Sequence, residues 1–176
     1  MDLVPTADIC ADPAACLPSA RARITRRSWL AAPPAVVWER IVSVRGINAE
    51  LMPIVRMTFP PARVRIDVLE PARGQPVFRS VLLLFGVLPI DVHTCTMLDL
   101  SAGRGFVERS SSRVHRVWLH RRRLHAVPGG TELTDQIDYA CRVPGLTAML
   151  RPALVEVFGH RHRRLRRYFG ALAPHS

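Results

Sequence analysis

Seven runs of alternating, β-rich sequence follow one another through the middle of the chain. Turn chemistry separates them: Pro-Pro, Arg-Gly, Leu-Pro, Ala-Gly-Arg-Gly, Ser-Ser-Ser and Pro-Gly-Gly. Strands joined by turns this short pair antiparallel, and a meander of this kind must curl or be covered to bury its apolar face. The predicted strands are 55–59, 63–69, 77–88, 90–100, 105–110, 114–127 and 131–142.

The C-terminal segment supplies a cover for this sheet. Its apolar residues recur at three- and four-residue steps, which is typical of one face of a long helix. Pro152 marks the first turn of that helix or a kink in it. The apolar face consists of Leu150, Leu154, Val157, Phe158, Leu165, Tyr168, Phe169 and Leu172.

Before the meander, the sequence predicts one strand and two short helices. The strand covers 24–30, and the Pro-Pro pair at 33–34 then opens a helix over 34–43, because proline is tolerated in a first turn. Gly46 interrupts the helical pattern before a second short helical turn at 48–52. The predicted fold class is therefore α+β.

Length and composition indicate one folded domain. The chain has 176 residues, 48% of them hydrophobic, which suits a single core. We expect residues 1–21, rich in Ala, Asp and Pro, to form a flexible N-terminal extension, and residues 22–172 to form the domain. The four cysteines form no CxxC pair, and no leader pattern or apolar stretch of 18 residues occurs, so we expect a cytoplasmic protein.

The net charge of +11 suggests an acidic partner, yet all 25 basic residues are arginine, a bias that a GC-rich genome would produce without any such partner. Stacking aromatics do not alternate with the arginine runs, so we expect no specific nucleic acid. Runs 121–123 and 161–167 favour a solvated face, with weak contact to an anionic membrane surface as the alternative. The oligomeric state, monomer or homodimer, stays open.

The order of elements and several spaced residues together resemble the START/Bet v 1-like (SRPBCC) superfamily, of the bacterial polyketide cyclase and ligand-binding type. The resemblance spans about residues 22–170. It rests on Phe106-x-Glu108, Trp118-x-His120-x-Arg122-x-Leu124, Gly130-Thr131-x-Leu133-x-Asp135-x-Ile137-x-Tyr139 and Phe158-x-x-Arg161. It implies a helix-grip fold, in which a curved antiparallel sheet wraps around the long C-terminal helix and encloses a cavity. Several relatives have a second histidine where Arg122 stands here.

The last two predicted strands place candidate residues on one face of the sheet. If Leu124 lies opposite Asp135, then Trp118, His120 and Arg122 share a face with Tyr139. A face that mixes aromatic, apolar and a few polar groups is typical of a ligand pocket wall.

Four residues are candidates for acid-base chemistry. His120, near Tyr139 in this register, is a candidate general acid or base, and Tyr139 would polarise a carbonyl oxygen. The favoured alternative for His120 is a hydrogen-bonded wall residue. For Asp135, diagonal to Arg122, a structural salt bridge is favoured over a catalytic carboxylate. Glu108 either reaches the cavity, or occupies a solvated strand position, or pairs with Arg116 across the strands.

The leading functional hypothesis is a carrier or sensor of an apolar small molecule. The second is a cofactor-free cyclase or dehydratase that acts on the same bound molecule. Arg161, on the apolar face of the last helix, needs a carboxylate partner, an anionic ligand head or a path to water. The predicted ligand-binding residues are Trp38, Leu82, Leu84, Trp118, Arg122, Leu154, Phe158 and Arg161.

No metal or cofactor is predicted. His160 and His162 are two residues apart, and a helix turns their side chains about 200° away from each other. The sequence contains no Gly-rich phosphate loop, no GxSxG elbow and no paired zinc-ligand spacing.

Overall fold

The computed structural model describes residues 22–61, 65–67 and 76–173. Its strands form one antiparallel seven-stranded sheet in the order β1-β7-β6-β5-β4-β3-β2. The elements are β1 (Ala22–Leu30), α1 (Pro34–Ile41), α2 (Val44–Leu51), β2 (Val55–Met57), β3 (Pro76–Leu84), β4 (Leu88–Ser101), β5 (Gly105–Ser112), β6 (His115–Val127), β7 (Gly130–Cys141), α3 (Leu146–Met149) and α4 (Arg151–Phe169).

The two short helices begin where local chemistry favours a start. Pro34 occupies the first turn of α1, where a backbone N–H has no acceptor within the helix, so proline costs no hydrogen bond there. Ser43 caps α2, because its Oγ accepts a hydrogen bond from the Gly46 amide at 3.0 Å. The predicted helix 34–43 therefore ends at Ile41, and the second helix begins earlier than the predicted turn at 48–52.

Helix α4 lies against the sheet and buries one face. Phe158, Arg161, His162 and Leu165 are its buried residues. Leu165 belongs to the main core cluster, which also includes residues of α1, α2 and β7. Phe158 belongs to a second cluster with Ile24, Ile137 and Tyr139. The fold is thus the predicted helix-grip α+β fold, in which the long C-terminal helix packs on a curled antiparallel sheet.

The C-terminal helix differs in detail from the prediction. The short α3 precedes it, Pro152 lies in its first turn, and it ends at Phe169, because Gly170 has a φ of 82°. The segment after it turns back to β1, where Ala171 forms a bridge with Leu30.

Two predicted segments lie wholly or largely outside the described residues. The predicted extension 1–21 is entirely outside them. Of the predicted strand 63–69, only residues 65–67 are described, and Arg65 forms an isolated bridge with Ser43. In the described parts of the chain, none of the helices combines the length and apolar character needed to cross a membrane.

The predicted register of β6 on β7 is wrong by two residues. Leu124 pairs with Leu133 and Arg122 with Asp135, directly rather than diagonally. The reason is the turn: Val127 pairs with Gly130, so only two residues connect the strands, and Gly129 supplies the φ of 79°. Because side chains alternate with a period of two, a shift of two keeps each residue on its predicted face.

Candidate functional site

The inner face of the sheet is the face that meets α4. The Phe158 ring of α4 lies 6.4 Å from the Trp118 ring and 5.4 Å from the His120 ring, measured between centroids. Trp118 and His120 are two residues apart on β6, so both point to this side. The predicted pocket residues of β6 and β7 therefore face the helix.

A cluster of rings covers one end of this face, and we call it the aromatic wall: His93, His115, Trp118, Tyr139 and Phe158. Trp118 lies at its centre, with centroid distances of 5.6 Å to His93, 4.9 Å to His115, 6.5 Å to Tyr139 and 6.4 Å to Phe158. The four neighbours are buried, whereas Trp118 is only partly buried. Trp118 is therefore less enclosed than the four rings that pack around it.

The other predicted apolar ligand-binding residues lie in three different parts of the fold. Leu154 of α4 is partly buried and packs against the cluster of Tyr139 and Phe158. Leu82 and Leu84 are partly buried on β3. Trp38 lies elsewhere, in the main core cluster.

Arg122 and Arg161 belong to a buried ion network. Arg122 contacts Asp135 through two hydrogen bonds of 2.7 Å, and its Nη1 lies 3.0 Å from Glu50 Oε2. Arg161 also binds Glu50, with Nη2 at 3.0 Å from Oε2. Arg161 therefore has a carboxylate partner and does not extend to water. The network, which we call the central ion network, joins α2, β6, β7 and α4.

Two histidines complete the surroundings of Asp135. His120 Nε2 lies 2.9 Å from Oδ1, and His162 Nε2 lies 3.1 Å from Oδ2. Burial by itself would raise the pKa of Asp135, but the charge and hydrogen bonds of Arg122 hold that pKa well below its usual range. Asp135 is thus ionised, and its geometry is that of a structural ion pair.

His120 and Tyr139 are not the neighbours that the predicted register made them. Tyr139 pairs with Trp118, and its hydroxyl donates to the Thr147 carbonyl oxygen at 3.2 Å. His120 pairs with Ile137. Burial raises the pKa of Tyr139. The shift of two residues separates the two side chains.

Glu108 lies opposite His120 across β5 and β6, and it is partly buried. Its carboxylate accepts a hydrogen bond from Ser110 Oγ, whose side chain is buried next to Cys95. Among the described residues, Glu108 forms no ion pair with Arg116. Glu108 faces the interior side of the sheet, as His120 does.

A third group of polar residues, which was not predicted from the sequence, consists of Asp91 and the two histidines of the aromatic wall. Asp91 Oδ2 lies 3.1 Å from His93 Nε2 and 3.6 Å from His115 Nδ1. Asp91 and His93 are two apart on β4, and that spacing on a strand was an available signal. His115 comes from β6, so only the fold brings it to the other two.

An open cavity of about 620 Å³ lies beside this end of the sheet. Cys141 and Thr147 contribute to its lining, and Tyr139 binds the carbonyl oxygen of Thr147. The side chains around it are strongly basic. They include Arg23, Arg116, Arg142 and Arg151.

Solved structures share this architecture. A protein from Rhodobacter sphaeroides is 23% identical, with a TM-score of 0.61 over 89% of this chain and 98% of its own. The ZhuI aromatase/cyclase from Streptomyces sp. R1128 is 18% identical, with a TM-score of 0.55 over 86% and 99%. Ara h 8.0201 is 10% identical, with a TM-score of 0.56 over 84% and 97%.

The fold and these likenesses define the class: a helix-grip protein with the Bet v 1-like fold. Within that class, the chain belongs to the family described as a domain of unknown function, DUF8410, whose model matches residues 28–169. No curated protein matches the chain.

Proposed function

We propose that this protein binds an apolar or aromatic small molecule against the aromatic wall, between the sheet and α4, and acts as a carrier or sensor. The observation that carries the proposal is Trp118. Trp118 lies on the inner face and stays only partly buried, although rings from β4, β6, β7 and α4 surround it. An open aromatic surface flanked by a few polar groups is the usual make-up of a small-molecule site.

The neighbouring side chains support the same class of ligand. Leu154 and Val155 of α4 are partly buried beside the wall, so they add apolar surface opposite the sheet. The arginine-lined cavity supports an acidic group at one end of the ligand, because Arg116 and Arg151 are part of its lining. The bound molecule would then be mainly apolar, with a charged or polar end.

A titration with N-phenyl-1-naphthylamine, a neutral fluorescent probe, tests this proposal. Leu154→Glu puts a carboxylate beside the wall, where desolvation opposes it. We expect this variant to bind the probe at least about tenfold more weakly. Ala153→Glu is the matched control, because Ala153 is the exposed neighbour on the same helix and its substitution should leave binding unchanged.

Equal binding by both variants would contradict the proposal, provided that circular dichroism shows both to be folded. Binding of acidic vesicles that falls steeply with salt, without any probe binding, would instead favour docking on an anionic surface.

A second candidate function is a cofactor-free cyclase or dehydratase, and the contact of His120 with Asp135 favours it. The Asp135 carboxylate holds His120 Nε2 at 2.9 Å, and a carboxylate that orients an imidazole is a recurrent arrangement for a general base. His120 would take a proton from the carbon next to a ligand ketone. The resulting carbanion would attack a second carbonyl carbon, and His120 would return the proton to the alkoxide.

His120→Ala separates the two functions. Probe binding that is kept while turnover of polyketide-like substrates is lost would support the enzyme. Tyr139→Phe is the companion variant. It removes the hydroxyl that would polarise a ligand carbonyl and that donates to the Thr147 carbonyl oxygen in this structure. Turnover that is unchanged in His120→Ala would exclude His120 as the base, whereas no turnover by the unaltered protein would leave the carrier or sensor function.

A further inference from the structure

Asp91, His93 and His115 form a compact group of three metal-ligating side chains. One ligand atom from each residue lies within 4.8 Å of the others. The three side chains are only 5%, 5% and 8% exposed. Two imidazoles and a carboxylate buried together need a reason, because removing such polar groups from water is costly.

The carboxylate of Asp91 is held as a metal ligand would be. Its Oδ1 accepts hydrogen bonds from the amides of Val92 at 2.8 Å and Arg113 at 3.2 Å. Its Oδ2 is then left between His93 Nε2 and His115 Nδ1. Backbone donors that fix one oxygen and direct the other toward the ligand atoms are typical outer-shell support for a metal site.

Two buried polar atoms, one in this group and one next to it, have no hydrogen-bond partner among the described residues. In the described part of the chain, His115 Nε2 and Ser80 Oγ are buried and make no hydrogen bond. Ser80 lies directly opposite His93 in the pairing of β3 with β4. His115 Nδ1 lies 3.3 Å from Ser112 Oγ and 3.6 Å from Asp91 Oδ2, so this nitrogen has two oxygen neighbours.

We propose that Asp91, His93 and His115 bind one divalent transition-metal ion of the zinc class. Two imidazoles and one carboxylate are a known donor set for zinc, and three protein ligands leave a fourth position for water or a ligand atom. The Trp118 ring lies 5.6 Å from His93 and 4.9 Å from His115, so the ion would lie beside the aromatic wall. The proposal does not depend on the proposed function, since the ion is tested without any organic ligand.

Titration of the metal-free protein with Co²⁺, a spectroscopic substitute for Zn²⁺, tests the site. We expect one equivalent per chain, with the visible absorption of a low-symmetry Co²⁺ complex and competition by Zn²⁺. His93→Ala and His115→Gln should weaken binding by more than about 100-fold, which exceeds the loss from an outer-shell change.

His125→Ala is the matched control, because His125 is an exposed histidine on the same strand as His115. It should bind Co²⁺ as the unaltered protein does. Circular dichroism shows whether each variant is folded. Failure of the unaltered protein to bind Co²⁺, or equal binding by all the folded histidine variants, would overturn the proposal.

Discussion

Arg122 and Asp135 face each other across β6 and β7 and form two parallel hydrogen bonds, Nε to Oδ1 and Nη2 to Oδ2, each 2.7 Å long. Both side chains are fully buried. Glu50 of α2 and Arg161 of α4 extend the pair, so that two positive and two negative charges balance in the interior. This balance fixes α2 and α4 against the inner face of the sheet.

The first prediction concerns the stability of the central ion network. Asp135→Asn leaves the buried Arg122 charge with Glu50 alone, so we expect a loss of about 3–5 kcal/mol in the free energy of unfolding. Urea denaturation followed by circular dichroism measures it. Glu156→Gln, which breaks an exposed pair with Arg163, is the control and should cost at most about 1 kcal/mol.

A paired replacement sharpens this test. Arg122→Met combined with Asp135→Leu removes both charges together, and we expect it to be less destabilising than Asp135→Asn alone. If the single variant were as stable as the Glu156→Gln control, the network would not support the fold as described.

The second prediction is a pH dependence of stability that originates at Asp135. Arg122, His120 and His162 face this carboxylate, and its pKa in the folded state lies well below the unfolded value of about 3.9. The unfolded state therefore binds the proton more readily, so the stabilisation is present above about pH 4 and is lost as the pH falls.

Urea unfolding between about pH 7 and about pH 3 checks this dependence. The stability difference between the unaltered protein and Asp135→Asn should shrink over the acidic part of this range. A difference that stays constant down to about pH 3 would show that Asp135 does not titrate as inferred.

The third prediction concerns the turn between β4 and β5, which contains Gly103, and the first residue of β5, Gly105. Gly105 has a φ of 145°, and a Cβ there would lie 2.1 Å from the Arg122 carbonyl oxygen. Gly105→Ala must push β5 away from β6 next to the ion network, so we expect a loss of about 2–4 kcal/mol. Gly103→Ala in the same turn meets no atom within 4 Å, and only its φ of 71° costs about 1 kcal/mol.

Thermal unfolding of the two glycine variants, side by side, measures the contrast. Equal losses would mean that the close approach of β5 to Arg122 does not constrain this turn.

The elements and the class of fold were predictable because they depend on local periodicity. Alternation marked the strands, and the three- and four-residue steps from Leu154 to Leu165 marked α4. The faces of β6 and β7 were also predictable, since an error of two residues in register leaves each side chain on the same side.

The contacts within the site were less predictable, because they depend on register and on distant segments. The two-residue turn before Gly130 moved Asp135 onto Arg122 and Tyr139 onto Trp118. Glu50 reaches Arg122 from 72 positions earlier in the chain, and no local pattern marks that contact. His115 of β6 reaches Asp91 of β4 across β5, the strand that pairs with both, and no local sequence pattern marks that contact.

The central claim is that a small apolar molecule binds at Trp118 on the inner face. A crystal soaked with 1-bromonaphthalene, with the bromine located by its anomalous scattering, tests this claim most directly. We predict a bromine peak between the sheet and α4, in contact with the Trp118 ring and lost in Leu154→Glu. Bromine found only on the outer surface, or none inside the protein at all, would contradict it.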